Sequence, residues 1–344
     1  MTRSGEIREN VSLGGMNSLG IEARARCFVS VTSVEALRRA LEWASEASVE
    51  PLLLGGGSNL VFAGDFPGLV IRIAIARRCW EQVNGDEATL VLGAGENWHE
   101  SVLYAASAGY RGIENLALIH GTVGAAPVQN IGAYGTELQD TLVDIRALDR
   151  RTGNEVVLTN SLCHFSYRDS VFKHEPGRYV ITEVRLRLAR TRPFSLDYRD
   201  LRDYFDGQDL NDLTPLDVAN AVMAVRRRKL PDPQQLPNAG SFFKNPVVPL
   251  ETWESLKKKH PEIAGYPGDD NAKVAAAWLI DQCGWKGYRN SRVGVHNRQA
   301  LVLVNHSNGS GQAVLALANR IREDVEARFG IALEMEPGVI GSCP

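Results

Sequence analysis

The sequence lacks an excess of charge of either sign. Its 38 Lys and Arg against 41 Asp and Glu leave a net charge of −3, so no overall basic field argues for a nucleic-acid partner. It has no apolar run long enough to cross a bilayer. The stretch Met1 to Asn10 is charged and has no apolar signal core, so a cytoplasmic protein without membrane insertion is expected. Cysteine is scarce: Cys27, Cys79, Cys163, Cys283 and Cys343 are odd in number, and no Cys-x-x-Cys occurs. Neither a disulfide framework nor a zinc site is indicated, no metal is expected, and most of these thiols should be small buried hydrophobes. No long internal repeat or low-complexity tract is present, which excludes solenoids and disordered arrays.

What is there suits a globular chain of more than one domain. The 344 residues exceed the usual single-domain size. The hydrophobic fraction of 44% and charged fraction of 23% are ordinary. Thr32 and Glu35 form a capping-box pattern, followed by Val34, Leu37, Leu41 and Ala44 at helical spacing. Pro51 to Leu54 predicts a short buried strand, Leu69 to Ile73 another, and Thr89 to Leu92 a third, before a helix from about Asn97 to Ala108. Thr141 to Leu188 is strand-rich. Thr214-Pro215 starts a helix with the hydroxyl as N-cap and proline at the first helical position. Val218, Ala221, Val222 and Val225 mark its buried face. Leu230-Pro231-Asp232-Pro233 cannot continue that helix. A helix over Ala272 to Cys283, a strand over Leu301 to Val304, a helix from about Gln312 to Phe329 capped by Gly330, and a strand from Ile331 to Glu336 complete the expectation. The pattern is α+β in three regions.

Two glycine turns follow strands, at Gly55 to Asn59 and at Gly93 to Gly95. Glycine there lets backbone amides approach a phosphate closely. Neither is a Walker loop, because no Gly-Lys-Ser/Thr follows. Gly93-Ala94-Gly95-Glu96-Asn97-Trp98 imitates a dinucleotide fingerprint but puts Trp98 where the third glycine belongs, so it reads as an imperfect nucleotide turn or as a structural one. Glu114 to Gly135 carries Gly121, Gly124, Gly132 and Gly135 with Ala125 and Ala126 in a short span. By composition it suits either close backbone contact with a flat or phosphorylated ligand or a tight connection between sheets.

Five strings in one order carry a family resemblance: GGGSN at Gly55 to Asn59, GAGENWH at Gly93 to His99, the Glu114 to Gly135 stretch, YRDSVFK at Tyr167 to Lys173, and NAGSFFKNP at Asn238 to Pro246. The chain resembles the UDP-N-acetylenolpyruvoylglucosamine reductases, in particular the longer subtype with a tyrosine-bearing loop. The resemblance spans nearly all of the chain. It implies an α+β flavoprotein of three domains, with a vanillyl-alcohol-oxidase-type FAD-binding region in two of them: residues 1–77 plus 331–344, then 78–228, with a smaller α+β substrate domain at 229–330. It also implies FAD as cofactor, NADPH as hydride donor, a UDP-sugar substrate in peptidoglycan precursor synthesis, and a monomer. Another FAD-linked oxidoreductase or oxidase of the same fold is the alternative.

The resemblance further implies roles. Gly55, Gly56, Gly57, Ser58 and Asn59, with Gly121, Thr122, Gly124, Ala125 and Ala126, should hold the FAD pyrophosphate and ribityl chain; Gln129, Gly132 and Tyr134 should line the flavin. Ser241 matches the family's proton donor, though a serine in a glycine turn can also be purely structural. Arg168 matches the arginine that meets the substrate carboxylate, and its fork of donors suits that charge; an Arg168–Asp169 surface pair is the other reading. The C-terminal carboxylate falls on Glu336 or Glu334. They lie two apart and so share a strand face, and spacing from the preceding helix favours Glu336. A protonated glutamate there would need burial to raise its pKa. Tyr198 and Tyr266 should pack on uridine or sugar, Arg226 and Lys229 should meet the diphosphate, and Asn245 the sugar or phosphate. His120 stands where the family commonly has proline and is assigned no role.

Overall fold

The computed structural model describes residues 5–341, so Cys343 and the first four residues of the charged N-terminal stretch lie outside the described residues. The chain divides into two units, Met1–Val11 with Ala25–Gly56 and Pro67–Arg228, and Ser12–Arg24 with Gly57–Phe66 and Lys229–Pro344.

The first unit holds two sheets. One has four strands in the order Arg8–Ser12, Arg24–Val31, Phe66–Ile73, Pro51–Leu54, the last two parallel. Helix α1, Val34–Glu46, buries Ala36, Leu37, Ala40 and Ala44 on one face. The other sheet has five antiparallel strands in the order Glu155–Thr159, Leu142–Asp149, Tyr179–Ala189, Glu87–Gly93, Arg78–Asn84. Leu90, Leu92, Ile145, Val184 and Leu186 are fully buried there. Helix α2, Trp98–Ser107, is capped by Asn97, whose side chain accepts from the Glu100 amide. Two short helices follow, α3 at Val171–His174 and α4 at Arg199–Phe205. Helix α5, Pro215–Lys229, begins where Thr214 and Asp217 cap one another: the Asp217 amide donates to the Thr214 hydroxyl at 3.2 Å, and the Thr214 amide donates to the Asp217 carboxylate at 3.0 Å.

The second unit has a three-stranded antiparallel sheet, Asn238–Ser241, Val302–Asn305, Val293–Val295, and a second in the order Val247–Pro249, Asn271–Val274, Gly265–Pro267. Leu60–Phe62 pairs in parallel with Gly338–Ile340. Helix α6, Leu250–Lys259, covers the second sheet; α7 is Ala276–Gln282; α8, Gly311–Phe329, buries Val314, Leu317, Ala318, Ile321 and Val325 and ends at Gly330 with φ +67°.

Three expectations change. The cap of α1 is Ser33, which accepts from the Ala36 amide, and not Thr32 paired with Glu35. Asn271–Val274 is the central strand of its sheet, so α7 starts at Ala276 and not at Ala272. Ile331 to Glu336 forms no ladder beyond a single bridge from Met335 to Phe243, and the last strand is Gly338–Ile340. Strands Arg24–Val31 and Arg78–Asn84 were not anticipated. Among the described cysteines all four are free; Cys27 and Cys163 are buried, Cys79 and Cys283 half-buried. Burial pushes the Cys163 thiol up to about 12, which makes it inert at neutral pH. No described helix is long and apolar enough to cross a membrane.

Candidate active site

In the first unit, three glycine-bearing segments meet. The turn after Pro51–Leu54 lies against the 121–126 segment so closely that a Cβ on Gly55 would strike the Thr122 hydroxyl, and one on Gly56 would stand 2.9 Å from the Gly121 Cα. The 93–95 turn packs behind: the Gly124 amide donates to the Ala94 carbonyl at 2.9 Å, the Val123 amide to Glu96 at 2.9 Å, and the Trp98 amide to Gly121 at 3.1 Å. Trp98 is buried, with its indole N–H on the Leu116 carbonyl. The amides of Gly93, Ala94 and Gly95 donate to the carbonyls of Arg77, Thr182 and Ile75 at 2.7, 2.9 and 2.8 Å, so the 93–95 turn spends its donors on the protein's own backbone.

Among the described residues, the amides of Gly56, Gly121 and Thr122 make no backbone hydrogen bond, and the Thr122 hydroxyl is buried with no partner. Unspent donors on facing glycine loops are what a pyrophosphate requires. The residues therefore fit the phosphate part of FAD. Ala125 is exposed, Gln129 half-buried and Ala126 buried in the 3₁₀ turn Val123–Gln129. The rest of the expected 55–59 loop belongs to the second unit. There Gly57, at φ +64°, packs where a Cβ would collide with the Met16 carbonyl, and its own carbonyl accepts from the Ser18 amide. Ser58 is half-buried. Asn59 donates to the Glu336 carbonyl at 3.4 Å, and its own carbonyl accepts from the Gly338 amide.

The first unit also gathers Arg168, Tyr134, Tyr198 and Arg226. Gly132–Ala133 and Thr136–Glu137 form a hairpin whose two loop residues, Tyr134 and Gly135, have φ of +49° and +80°. That is the turn that matches strand twist, and a tyrosine in it holds a strained backbone. Arg168 is also left-handed, at φ +55°, in the tight turn closed by Ser166 and Asp169. Its Nη2 donates to the Gly132 carbonyl at 2.7 Å, and its own carbonyl accepts from Lys173 Nζ. Asp169 engages His174 at 2.7 Å and the Ser170 amide at 2.9 Å. The Tyr134 ring meets Tyr198 edge-on, with centroids 5.2 Å apart. Burial pushes the Tyr134 phenol above its ordinary value, opposed by the hydrogen-bonded Arg226 guanidinium. Burial holds Arg226 below its ordinary value, and the positive charge of Arg168 adds to that shift. The Arg226 Nε is buried and has no hydrogen-bond partner.

His99 closes the GAGENWH string. Its Nδ1 accepts from the Leu118 amide at 3.0 Å, and burial, with Arg227 and Arg226, holds the imidazole below its usual value, so it is a neutral acceptor. His120 is exposed.

In the second unit, Ser241 ends the strand Asn238–Ser241 and pairs with Val302. Asn238 is buried and donates to the carbonyls of Pro231 and Leu236, while its Oδ1 takes the Gly240 amide at 2.9 Å. Gly240 sits at φ +70°, and no heavy atom lies within 4 Å of the Cβ it lacks. Gly240→Ala therefore meets conformational strain and no clash. We expect a loss of about 1–2 kcal/mol in denaturant unfolding, with slower turnover as the adjacent hydroxyl shifts.

The C-terminal segment runs beside Ser241. The Glu336 amide donates to the Phe242 carbonyl at 2.9 Å, and the Lys244 amide to Glu334 at 3.0 Å. Glu334 is exposed and ion-paired with Lys244, whereas Glu336 is half-buried. Phe242 and Phe243, at 0% and 1% exposure, anchor the segment between them. Asn245 uses its Oδ1 to cap α7 at the Ala276 amide, which leaves its Nδ2 to donate. Tyr266 is 58% exposed on the strand Gly265–Pro267, and Lys229 is half-buried at the end of α5.

Residues 25–159 match the model of an FAD binding domain, and residues 232–340 match that of the UDP-N-acetylenolpyruvoylglucosamine reductase C-terminal domain. The reductase of that name from Pseudomonas syringae pv. tomato is 47% identical over 97% of this chain and 98% of its own. The chain belongs to the UDP-N-acetylenolpyruvoylglucosamine reductase family. The Chromobacterium violaceum reductase is 46% identical over 97% of this chain and 99% of its own. The crystal structure of the reductase from Thermus caldophilus superposes with a TM-score of 0.69 at 26% identity, covering 98% of this chain and all of that one. A 6-hydroxy-D-nicotine oxidase from Arthrobacter nicotinovorans reaches 0.54 at 13% identity over 96% of this chain and 87% of its own, a likeness of fold alone. Family and fold together make the chain an FAD-dependent oxidoreductase with the α+β flavoprotein architecture.

Proposed function

We propose that this reductase converts UDP-N-acetylglucosamine enolpyruvate to UDP-N-acetylmuramate in the cytoplasm, as a monomer, with NADPH as reductant and with the three-domain division read from the sequence. The observation that carries the reading is identity near one half along nearly the whole chain to reductases of that name. FAD, when bound, supplies the hydride taken from NADPH. The facing loops at Gly55-Gly56 and Gly121 to Ala126 would hold its phosphates, with Thr122 as a side-chain donor.

The substrate alkene is conjugated with a carboxylate, so hydride addition at the vinyl carbon throws negative charge onto that carboxylate. Arg168 would stabilise this charge as it grows, using donors already oriented on a strained turn. Ser241 would then deliver a proton to the adjacent carbon, and Glu336, whose backbone pairs beside Phe242, would share in that protonation. Tyr198, Tyr266, Lys229, Arg226 and Asn245 would hold the uridine, diphosphate and sugar. An oxidase of the same fold remains the competing reading, and the experiment decides between them. The purified protein should be yellow, bleach with NADPH without oxygen, and recover its colour on adding the enolpyruvyl UDP-sugar. Recovery only on admitting air would favour the oxidase.

Glu336 and Glu334 separate by mutation. Glu336→Ala should lower turnover roughly a hundredfold or more, within the range of general acid contributions, while FAD stays bound. Glu334→Ala removes an exposed ion pair of about 0–1 kcal/mol and should leave turnover within twofold, which steady-state assays of the two variants would show.

A further inference from the structure

The functional reading leaves two fully buried side-chain amides without a task. Asn115 is 1% exposed, and Asn130 is 0% exposed. A buried amide that bonds only to backbone carbonyls holds chain segments in fixed relation, because each unmade bond would strand a polar group away from water.

Asn115 donates both N–H groups, one to the Tyr134 carbonyl at 2.9 Å and one to the Ser195 carbonyl at 2.7 Å. It thereby ties the strained hairpin loop to the segment that reaches Tyr198 three residues later, where the two tyrosine rings meet. Asn130 acts on the same hairpin through Glu137. It donates to Glu137 at 2.7 Å and to the Ser166 carbonyl at 3.2 Å, and accepts from the Gln139 amide. Ser166 opens the tight turn that carries Arg168. Gly132, which pairs with Glu137 in this hairpin, offers its carbonyl to the Arg168 guanidinium. A hairpin with Tyr134 at positive φ does not hold its own geometry cheaply, so the two amides supply the restraint.

We propose that Asn115 is a positioning residue for Arg168: by fixing the 132–137 hairpin it fixes the carbonyl that orients the guanidinium, with Asn130 as a second restraint through Glu137 and Ser166. This rests on the reading of Arg168 as the group that meets the substrate carboxylate.

The test uses the FAD-loaded enzyme and two ligands, the enolpyruvyl UDP-sugar and UDP-N-acetylglucosamine, which lacks the carboxylate. Asn115→Asp keeps the shape and loses the donors; Asn115→Ser, which keeps one donor, serves if the first does not fold. Calorimetric titration of the oxidised enzyme should show affinity for the enolpyruvyl sugar falling at least tenfold and affinity for UDP-N-acetylglucosamine changing less than threefold. In an Arg168→Lys background the same substitution should add little to either loss, since coupled residues are not additive. Equal weakening of both ligands, or full additivity with Arg168→Lys, would overturn the proposal and leave Asn115 a general structural residue. Should Arg168→Lys alone leave binding of the enolpyruvyl sugar and turnover unchanged, the fault would lie in the role given to Arg168 instead.

Discussion

Ser241→Ala should slow reoxidation of the reduced flavin by the enolpyruvyl sugar roughly a hundred- to ten-thousandfold, the range for a general acid, while NADPH reduces the flavin at its normal rate. A serine hydroxyl is a poor acid in water and becomes a useful one only against a strongly basic carbanion held close to it. Holding it close is what its surroundings do. Asn238 clamps three backbone groups around the turn, Gly240 supplies a left-handed backbone that other residues rarely adopt, and Val302 pairs across the sheet. No bond of that frame passes through the Ser241 hydroxyl, so alanine removes the proton source and leaves the frame standing. Stopped-flow measurement of the two half-reactions separates the effects; unchanged reoxidation would remove Ser241 from the chemistry.

The elements with strong periodicity and caps were legible. Thr214-Pro215 and the four apolar positions that follow specify α5, and Gly330 specifies where α8 ends. Neighbouring hydroxyls were harder. Thr32 and Ser33 both offer an N-cap, and only the helix register, which puts the Ala36 amide in reach of Ser33, decides between them. Ala272 to Val274 opens an alanine-rich stretch and reads as the start of a helix, yet the strand Asn271–Val274 pairs on both sides with strands 247–249 and 265–267. Two ladders outweigh local propensity. Arg24–Val31 buries Cys27, Phe28 and Val29 in succession, so its burial does not keep a period of two, and its first inward residues, Ala25 and Cys27, are small; such a stretch is a weak strand signal.

The site was legible in a different way. Uncommon strings named Ser241, Arg168 and the glycine loops, but residue order says nothing of which loops face each other. The left-handed backbones at Tyr134 and Arg168 were invisible, because Tyr and Arg do not ordinarily occupy that region and the closure of each hairpin imposes it. Arg226 reads from sequence as one of a basic run at a helix end. The fold distinguishes it from its neighbours, since it hydrogen-bonds Tyr134 and has a buried Nε without a hydrogen-bond partner. Asn115 and Asn130 carried no signal beyond belonging to a motif.

Arg168→Lys should slow the same reoxidation step by roughly two to three orders of magnitude, the usual loss on removing a donor from developing negative charge. The substitution is discriminating because so little else changes. Lysine keeps the positive charge, and both residues bear the same penalty at φ +55°. What lysine lacks is the planar fork, which lets one guanidinium nitrogen stay on the Gly132 carbonyl, 2.7 Å away, while the others face a carboxylate. An ammonium must give up one partner to serve the other, and it is more strongly hydrated. If charge alone were sufficient, the lysine variant would turn over at close to the normal rate, and a fixed fork could be dismissed as the source of stabilisation. If the fork is the source, the loss should persist at saturating substrate, because the interaction strengthens as charge develops and so depresses kcat as well as kcat/KM.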